Sequence, residues 1–234
     1  MEVTSILLAR VLAFFEIEEL RPAQDFFFPD VVKKLVHECS FQKFPVTLDD
    51  WRSEKGAIFE VGKWGKTVVE RLVLYHNGVH VETRISSSES MRVLKEFLAW
   101  TKDELGSRYD PPMKMEMAYV SGFVFRSDIP LFYGSPVEKL SQRMSGVMSE
   151  ILGAETIYQP TMLNIGHDPL LRKYGRAQFT LQRRAEVPFT ENKYFTESPL
   201  PTDVHISLME QYEEDVAATL NLPSRVGRSV QRLG

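Results

Sequence analysis

The chain has 234 residues, of which 43% are hydrophobic and 11% aromatic, and this apolar content suffices for one large core or two fused subdomains. Such a composition excludes disorder over most of the length. The single cysteine, Cys39, cannot form an internal disulfide, which excludes a disulfide scaffold and indicates a reducing, cytoplasmic compartment.

The first predicted element is a long strand. Residues 3–20 alternate loosely between apolar and polar side chains and end in acidic residues, which favours a strand over an amphipathic helix. This segment has no basic leader, and Arg10 and Glu16 interrupt its apolar run, so we expect neither a secretion signal nor a membrane span. Pro29 then begins a helix with one buried apolar stripe, formed by Val32, Leu35, Val36 and Cys39.

A hairpin is the clearest local pattern. Asn77 and Gly78 lie between two runs of alternating hydrophobicity, and this pair predicts a type I′ turn whose two-residue loop sets Tyr75 opposite His80. One face of the hairpin is then apolar and reads as core. The other face carries the polar side chains of Arg71, Tyr75, His80, Glu82 and Arg84. We therefore expect only one side of this sheet to be buried.

The first half ends with a helix and a break. Ser86 can cap the start of this helix, and Gly106 can end it in the left-handed conformation. Pro111 and Pro112 then interrupt both helix and strand pairing. They mark the best internal boundary in the chain.

The second half repeats the same order of elements. A segment rich in aromatic and β-branched residues precedes a helix that Ser135 can cap and Pro136 begins, and further strands lead to a last helix capped by Thr202. We predict that both helices bury an apolar face. For the helix at Pro136 this face comprises Leu140, Met144, Val147, Met148, Ile151 and Leu152. For the last helix it comprises Ile206, Met209, Tyr212, Val216 and Leu220, with Glu213 among the acids that face solvent.

The repeated order predicts an internally duplicated α+β fold. Two β-α-β-β-β-α halves share a mainly antiparallel sheet with the helices on one face. Residues 1–110 form the first half, residues 111–220 form the second half, packed on the first as one globular unit, and residues 221–234 form a flexible basic tail. The element order resembles the saddle arrangement of the TATA-binding protein and related helix-grip folds, a resemblance that implies a fold and no function.

Two groups of side chains are candidates for chemistry. His76, His80 and Glu82 could ligate a metal, but the predicted register places His76 on the opposite face, so we expect no metal and no cofactor. His167 beside Asp168 resembles an oriented base, but no motif supplies a nucleophile and a turn is favoured. We therefore expect no enzymatic activity. An enzyme that uses His167, Asp168 and His80 between the halves is one alternative.

Several arginines are candidates for partner binding. Arg183 and Arg184 are adjacent in a strand-like stretch and could extend a basic stripe from Arg71 and Arg84. The tail adds Arg225, Arg228 and Arg232 without any acid. Such a stripe, with aromatic side chains between its arginines, would suit an oligonucleotide. The competing interpretation is cross-strand pairing with Glu70, Glu82 and Glu186.

The leading functional hypothesis is a non-enzymatic recognition or assembly subunit of an intracellular homo- or hetero-oligomeric complex. Its predicted partner-binding residues are Arg71, Tyr75, His80, Arg84, Arg183, Arg184, Arg225, Arg228 and Arg232. The second alternative is a nucleic-acid-binding regulator that uses the same sheet face. The net charge of −4 argues against this alternative, because it provides no general attraction to polyanions.

Overall fold

The structure is a computed structural model that describes residues 1–15, 28–47, 49–50, 56–110, 115–134, 136–168, 170 and 177–222. These residues form eight strands and four α-helices: β1 (Glu2–Phe14), α1 (Phe28–Cys39), β2 (Ala57–Trp64), β3 (Thr67–Tyr75), β4 (Gly78–Thr83), α2 (Ser87–Leu105), β5 (Glu116–Arg126), α3 (Pro136–Leu152), β6 (Met162–Ile165), β7 (Phe179–Arg183), β8 (Lys193–Ser198) and α4 (Thr202–Thr219). The predicted α+β class and antiparallel strand arrangement are confirmed.

The chain divides into two compact units. The first unit comprises Ile6–Gly122 and Pro199–Asp203, and the second comprises Met1–Ser5, Phe123–Ser198 and Val204–Gly234. Strands β1 and β5 supply residues to both units. The strand order is β2-β3-β4-β1-β5 in the first unit and β1-β5-β8-β7-β6 in the second. In the described part of the chain, none of the helices has the length and apolar character that a bilayer span requires.

The core of the first unit lies on one side of its strands. The antiparallel register aligns Val11 with Val81, Val81 with Leu72, and Leu72 with Phe59, so these apolar side chains share one face. Helices α1 and α2 pack their apolar stripes into this same cluster, where Leu35 is fully buried. The predicted caps of α2 are also confirmed, since the Ser86 side chain accepts a hydrogen bond from the amide of Glu89 at 3.1 Å.

The predicted position of the β3–β4 turn is wrong, because the two-residue loop lies one residue earlier in the chain than expected. Tyr75 pairs with Gly78 and Val73 with His80, so His76 and Asn77 form the loop. Gly78 is required inside β4, because a Cβ atom there would clash with the carbonyl oxygen of Ala13 on β1. Each residue of β3 therefore pairs with a residue two positions earlier in β4 than predicted. A shift of two residues leaves every side chain on its predicted face of the sheet.

The second unit has an aromatic core. Its fully buried side chains include Phe123, Phe125, Leu181, Tyr194, His205 and Met209. His205 and Met209 come from α4, and the Nε2 atom of His205 lies 2.9 Å from the hydroxyl of Thr196 on β8. This places α4 against the strands of its unit.

The prediction that Glu213 faces solvent is wrong. Its side chain is 1% exposed, and its carboxylate accepts hydrogen bonds from the Ser127 hydroxyl at 2.5 Å and the Asp128 amide at 3.1 Å. The α-amino group of Met1 lies 2.5 Å from its other oxygen. Burial acts to raise the pKa of Glu213, but these hydrogen bonds outweigh burial and lower the pKa.

Candidate interaction surfaces

The polar face of the hairpin lies in the first unit, opposite the helices, and its arginines already have acidic partners. Arg71 donates to Glu60 at 2.6 Å, and the Nε atom of Arg84 lies 3.4 Å from Glu70. Tyr75 is partly buried at the end of β3. The charges on this face are therefore largely compensated within the unit.

His80 on this face is not accessible to a partner. Its side chain is 5% exposed, and its Nε2 atom lies 3.4 Å from Glu82 without hydrogen-bond geometry. Burial lowers the pKa of His80, although Glu82 opposes this shift. Burial also acts to raise the pKa of Glu82, but His80 and Arg10 outweigh it and hold that pKa at about 2. Buried His80 and the partly buried Arg10–Glu82 ion pair thus form a structural group within the unit.

Arg183 and Arg184 belong to the second unit, and their environments differ. Arg184 is exposed at the end of β7. Arg183 is only 9% exposed, and its guanidinium carbon lies 4.6 Å from the ring centre of Phe189 and 5.4 Å from that of Tyr194. The tail residues Arg225, Arg228 and Arg232, together with Pro111 and Pro112, lie outside the described residues.

The other candidate groups show no catalytic geometry. His167 and Asp168 are both exposed, and a carboxylate oxygen of Asp168 accepts from the amide of Leu170 at 2.9 Å, as in a turn. Cys39 is fully buried, and burial, reinforced by Glu38, raises the pKa of its thiol to about 12. Within the residues that the structure describes, no three His, Cys, Asp or Glu side chains are placed to hold a metal ion.

Helix α3 exposes the apolar face that the sequence predicts to be buried. Leu140 is 57% exposed and Ile151 is 69% exposed, and no residue of this helix is buried. The exposed apolar side chains are Val137, Leu140, Met144, Val147, Ile151 and Leu152. We call this set the α3 stripe. Among the residues that the structure describes, the predicted burial of this face is wrong: five of its six predicted side chains are exposed, and Met148 is partly buried.

Serine side chains explain the orientation of α3. The hydroxyl of Ser145 accepts a hydrogen bond from the amide of Tyr158 at 2.8 Å, and that of Ser149 accepts from the amide of Thr156 at 2.9 Å. These serines lie four residues apart, so they share one side of the helix. The chain after α3 therefore packs on a polar side of the helix and leaves the α3 stripe in solvent. The serine spacing is visible in the sequence, but it does not by itself reveal which side is covered.

No protein-family model matches this chain, and no curated protein is significantly similar to it in sequence.

Proposed function

We propose that the protein is a non-enzymatic assembly subunit that self-associates through the α3 stripe. The exposure of this stripe is the observation that supports the proposal. An apolar patch of this kind is hydrated in the monomer and often marks an interaction site, because association recovers the free energy that its hydration costs. Each of the six side chains is between 44% and 69% exposed.

The size of the stripe is sufficient for a symmetric pair. Six half-exposed aliphatic side chains leave on the order of 500 Å² of apolar surface, so two copies would bury roughly 1,000 Å² in total, the lower limit for a specific interface. Such an area is compatible with a dimer dissociation constant in the micromolar range, about 1–10 µM.

The spacing of the stripe also suits a second copy. Val137 lies seven residues before Met144, and Ile151 lies seven residues after it. In an antiparallel pair of α3 helices centred on Met144, Val137 of each copy would therefore lie next to Ile151 of the other copy. The α3 helix has a net charge of zero, because its two acidic and two basic residues cancel: Glu138, Glu150, Lys139 and Arg143. Two copies of this helix therefore do not repel each other through the net charge of the helix. A self-complementary contact of this kind closes as a dimer.

The repeated element order supports the further proposal that the fold arose by internal duplication. Helices α2 and α4 bury corresponding positions at one constant separation along the chain. Ser87 and Thr202 are 115 residues apart and are joined by two hydrogen bonds. The backbone amide of each residue donates to the side-chain hydroxyl of the other residue at 3.0 Å. At the same separation, Ser90 and His205 each bond a buried threonine on the preceding strand. We include in this proposal the placement of all helices on one sheet face, as in saddle and helix-grip folds.

Light scattering coupled to size-exclusion chromatography tests self-association. We expect the wild-type protein to be a dimer at about 50 µM and to dissociate on dilution below about 1 µM. The substitution Leu140→Glu should raise the dimer dissociation constant at least about 100-fold, because each copy would bury an unpaired charge. Gln142→Glu is the matched control, since it adds the same charge on the opposite side of α3 and should leave the dimer intact.

A wild-type protein that is monomeric at 50 µM would overturn the proposal, as would a Leu140→Glu variant that dimerises like the wild type. Gel-shift titration with short oligonucleotides at low salt addresses the nucleic-acid alternative. We expect no shift, because Arg71 and Arg84 already engage carboxylates.

A further inference from the structure

The second unit contains a cavity of about 280 Å³ beside α3. Its lining includes Arg183, Phe132, Tyr158, Glu138 and Gln142. The cavity lies toward the serine side of α3 and not on the α3 stripe. It is therefore separate from the proposed assembly surface.

Arg183 is a buried cation without an anionic partner in the described part of the chain. Its three hydrogen bonds go to uncharged oxygens, from Nε to Pro160 at 3.3 Å, from Nη1 to Phe189 at 3.1 Å and from Nη2 to Gln159 at 3.1 Å. None of the ion pairs among the described residues includes it. Burying a charge without a counter-charge is costly, and carbonyl dipoles and aromatic faces compensate it only in part.

We propose that this cavity binds a small monocarboxylate with an apolar or aromatic body, and that Arg183 pairs with its carboxylate. Arginine offers two further N–H donors beyond the three in use, in a planar fork that matches a carboxylate. Phe132 and Tyr158 supply apolar cover for the body of the ligand. The volume is at the small end of ligand sites, which limits the ligand to about ten non-hydrogen atoms.

Glu138 favours a monocarboxylate over a phosphate as the ligand of this cavity. Its carboxylate lines the same cavity as Arg183, so an anionic ligand would meet one negative charge as well as the guanidinium. A doubly charged anion would be repelled by Glu138 more strongly than a singly charged one. A ligand with one negative charge is therefore favoured over a ligand with two.

Calorimetric titration of the protein with phenylacetate, phenylacetamide and inorganic phosphate tests the proposal. We expect saturable binding of phenylacetate, with phenylacetamide and phosphate each at least about 10-fold weaker. Equal affinity for the acid and its amide would overturn the proposal, as would the absence of phenylacetate binding at about 10 mM. Tighter binding of phosphate than of phenylacetate would also overturn it.

Variants identify the site without relying on a change to Arg183, which also supports the fold. Gln142→Trp should fill the cavity and weaken phenylacetate binding at least about 10-fold, whereas Glu150→Trp, on a side of α3 outside the cavity, should leave it unchanged. Glu138→Gln should raise the affinity for phosphate more than that for phenylacetate. Phenylacetate binding that is unaffected by Gln142→Trp would show that the ligand binds elsewhere.

Discussion

Helix α1 follows strand β1 and helix α3 follows strand β5, and the two helices share a sequence pattern, but they differ in what covers them. A proline lies at the start of each, at Pro29 and Pro136, and each carries one apolar face. Leu35 of α1 is fully buried in the core of the first unit, whereas Leu140 of α3 is 57% exposed. Periodicity therefore identifies the apolar face of a helix but not the surface that it packs against.

Helices α2 and α4 show the opposite relation, with buried positions at the same spacing and different side-chain chemistry at those positions. Leu98 of α2 and Glu213 of α4 are separated by the same 115 residues as Ser87 and Thr202, and both are buried. An aliphatic contact in one helix corresponds to a hydrogen-bonded carboxylate in the other. The two helix pairs thus show that the burial of a side chain and the type of interaction it makes can vary independently.

The largest expected effect comes from truncating the same residue type in α1 and α3. Leu35→Ala should lower the free energy of unfolding by about 3 kcal/mol, because it leaves a cavity in a closed core. Leu140→Ala should lower it by less than about 0.5 kcal/mol in the monomer, because its side chain is already hydrated. Urea unfolding at about 0.5 µM protein measures both values. Similar losses for the two variants would mean that α3 is covered within one chain.

Local signals account for the parts of the fold that the sequence could predict. The caps of α2 depend on Ser86 and Gly106, which act within one turn of the helix, and both were identified correctly. The hairpin loop was misplaced because the role of Gly78 depends on the approach of Ala13 from another strand. The environments of α3 and Glu213 also depend on distant chain segments. No pattern within either helix contains that information.

The second expected effect concerns the carboxylate that distinguishes α4 from α2. Glu213→Gln should lower the free energy of unfolding by about 2 kcal/mol at pH 7, because it weakens charge-assisted hydrogen bonds in a buried site. The pKa of Glu213 is lowered in the folded protein, so its stabilisation is complete above the unfolded-state pKa of about 4.3 and is lost as pH falls through the folded-state pKa.

In urea titrations between pH 7 and pH 3, the free energy of unfolding of the wild-type protein should exceed that of Glu213→Gln at about pH 7. This difference should decrease as the pH falls below about 4.5. Leu98→Met serves as the matched control, since it alters the corresponding position of α2 without introducing a titratable group. A difference between the wild-type protein and Glu213→Gln that is constant over this pH range would contradict the assignment.

A smaller effect is expected where the starts of α2 and α4 meet. Ser87→Ala should cost about 1–2 kcal/mol, because it leaves the amide of Thr202 without its partner in a buried site. Ser88→Ala, one residue further along an exposed part of the same helix turn, should cost less than about 0.5 kcal/mol. A double-mutant cycle with Thr202→Ala measures the coupling directly. Additive losses would show that the two side chains do not interact.

The last prediction compares α1 and α3 through thiol reactivity and needs no change in stability. Cys39 of α1 is fully buried and burial, together with Glu38, raises the pKa of its thiol to about 12, so little thiolate is present at pH 8. We expect its alkylation by iodoacetamide to require unfolding in urea. In the variant Leu140→Cys, the added thiol should react at least about 100-fold faster than Cys39 in dilute protein, because it replaces an exposed side chain.

The dependence of this rate on protein concentration then distinguishes an exposed helix from a paired one. If two copies join through the α3 stripe, labelling of the added thiol should slow as the concentration rises through the dimer dissociation constant, while labelling of Cys39 stays slow throughout. Rapid labelling of Cys39 in the native protein would contradict the burial of α1. Slow labelling of the added thiol even at the lowest concentration would place the cover of α3 within the chain itself, since dilution removes a partner copy and cannot remove a segment of the same molecule.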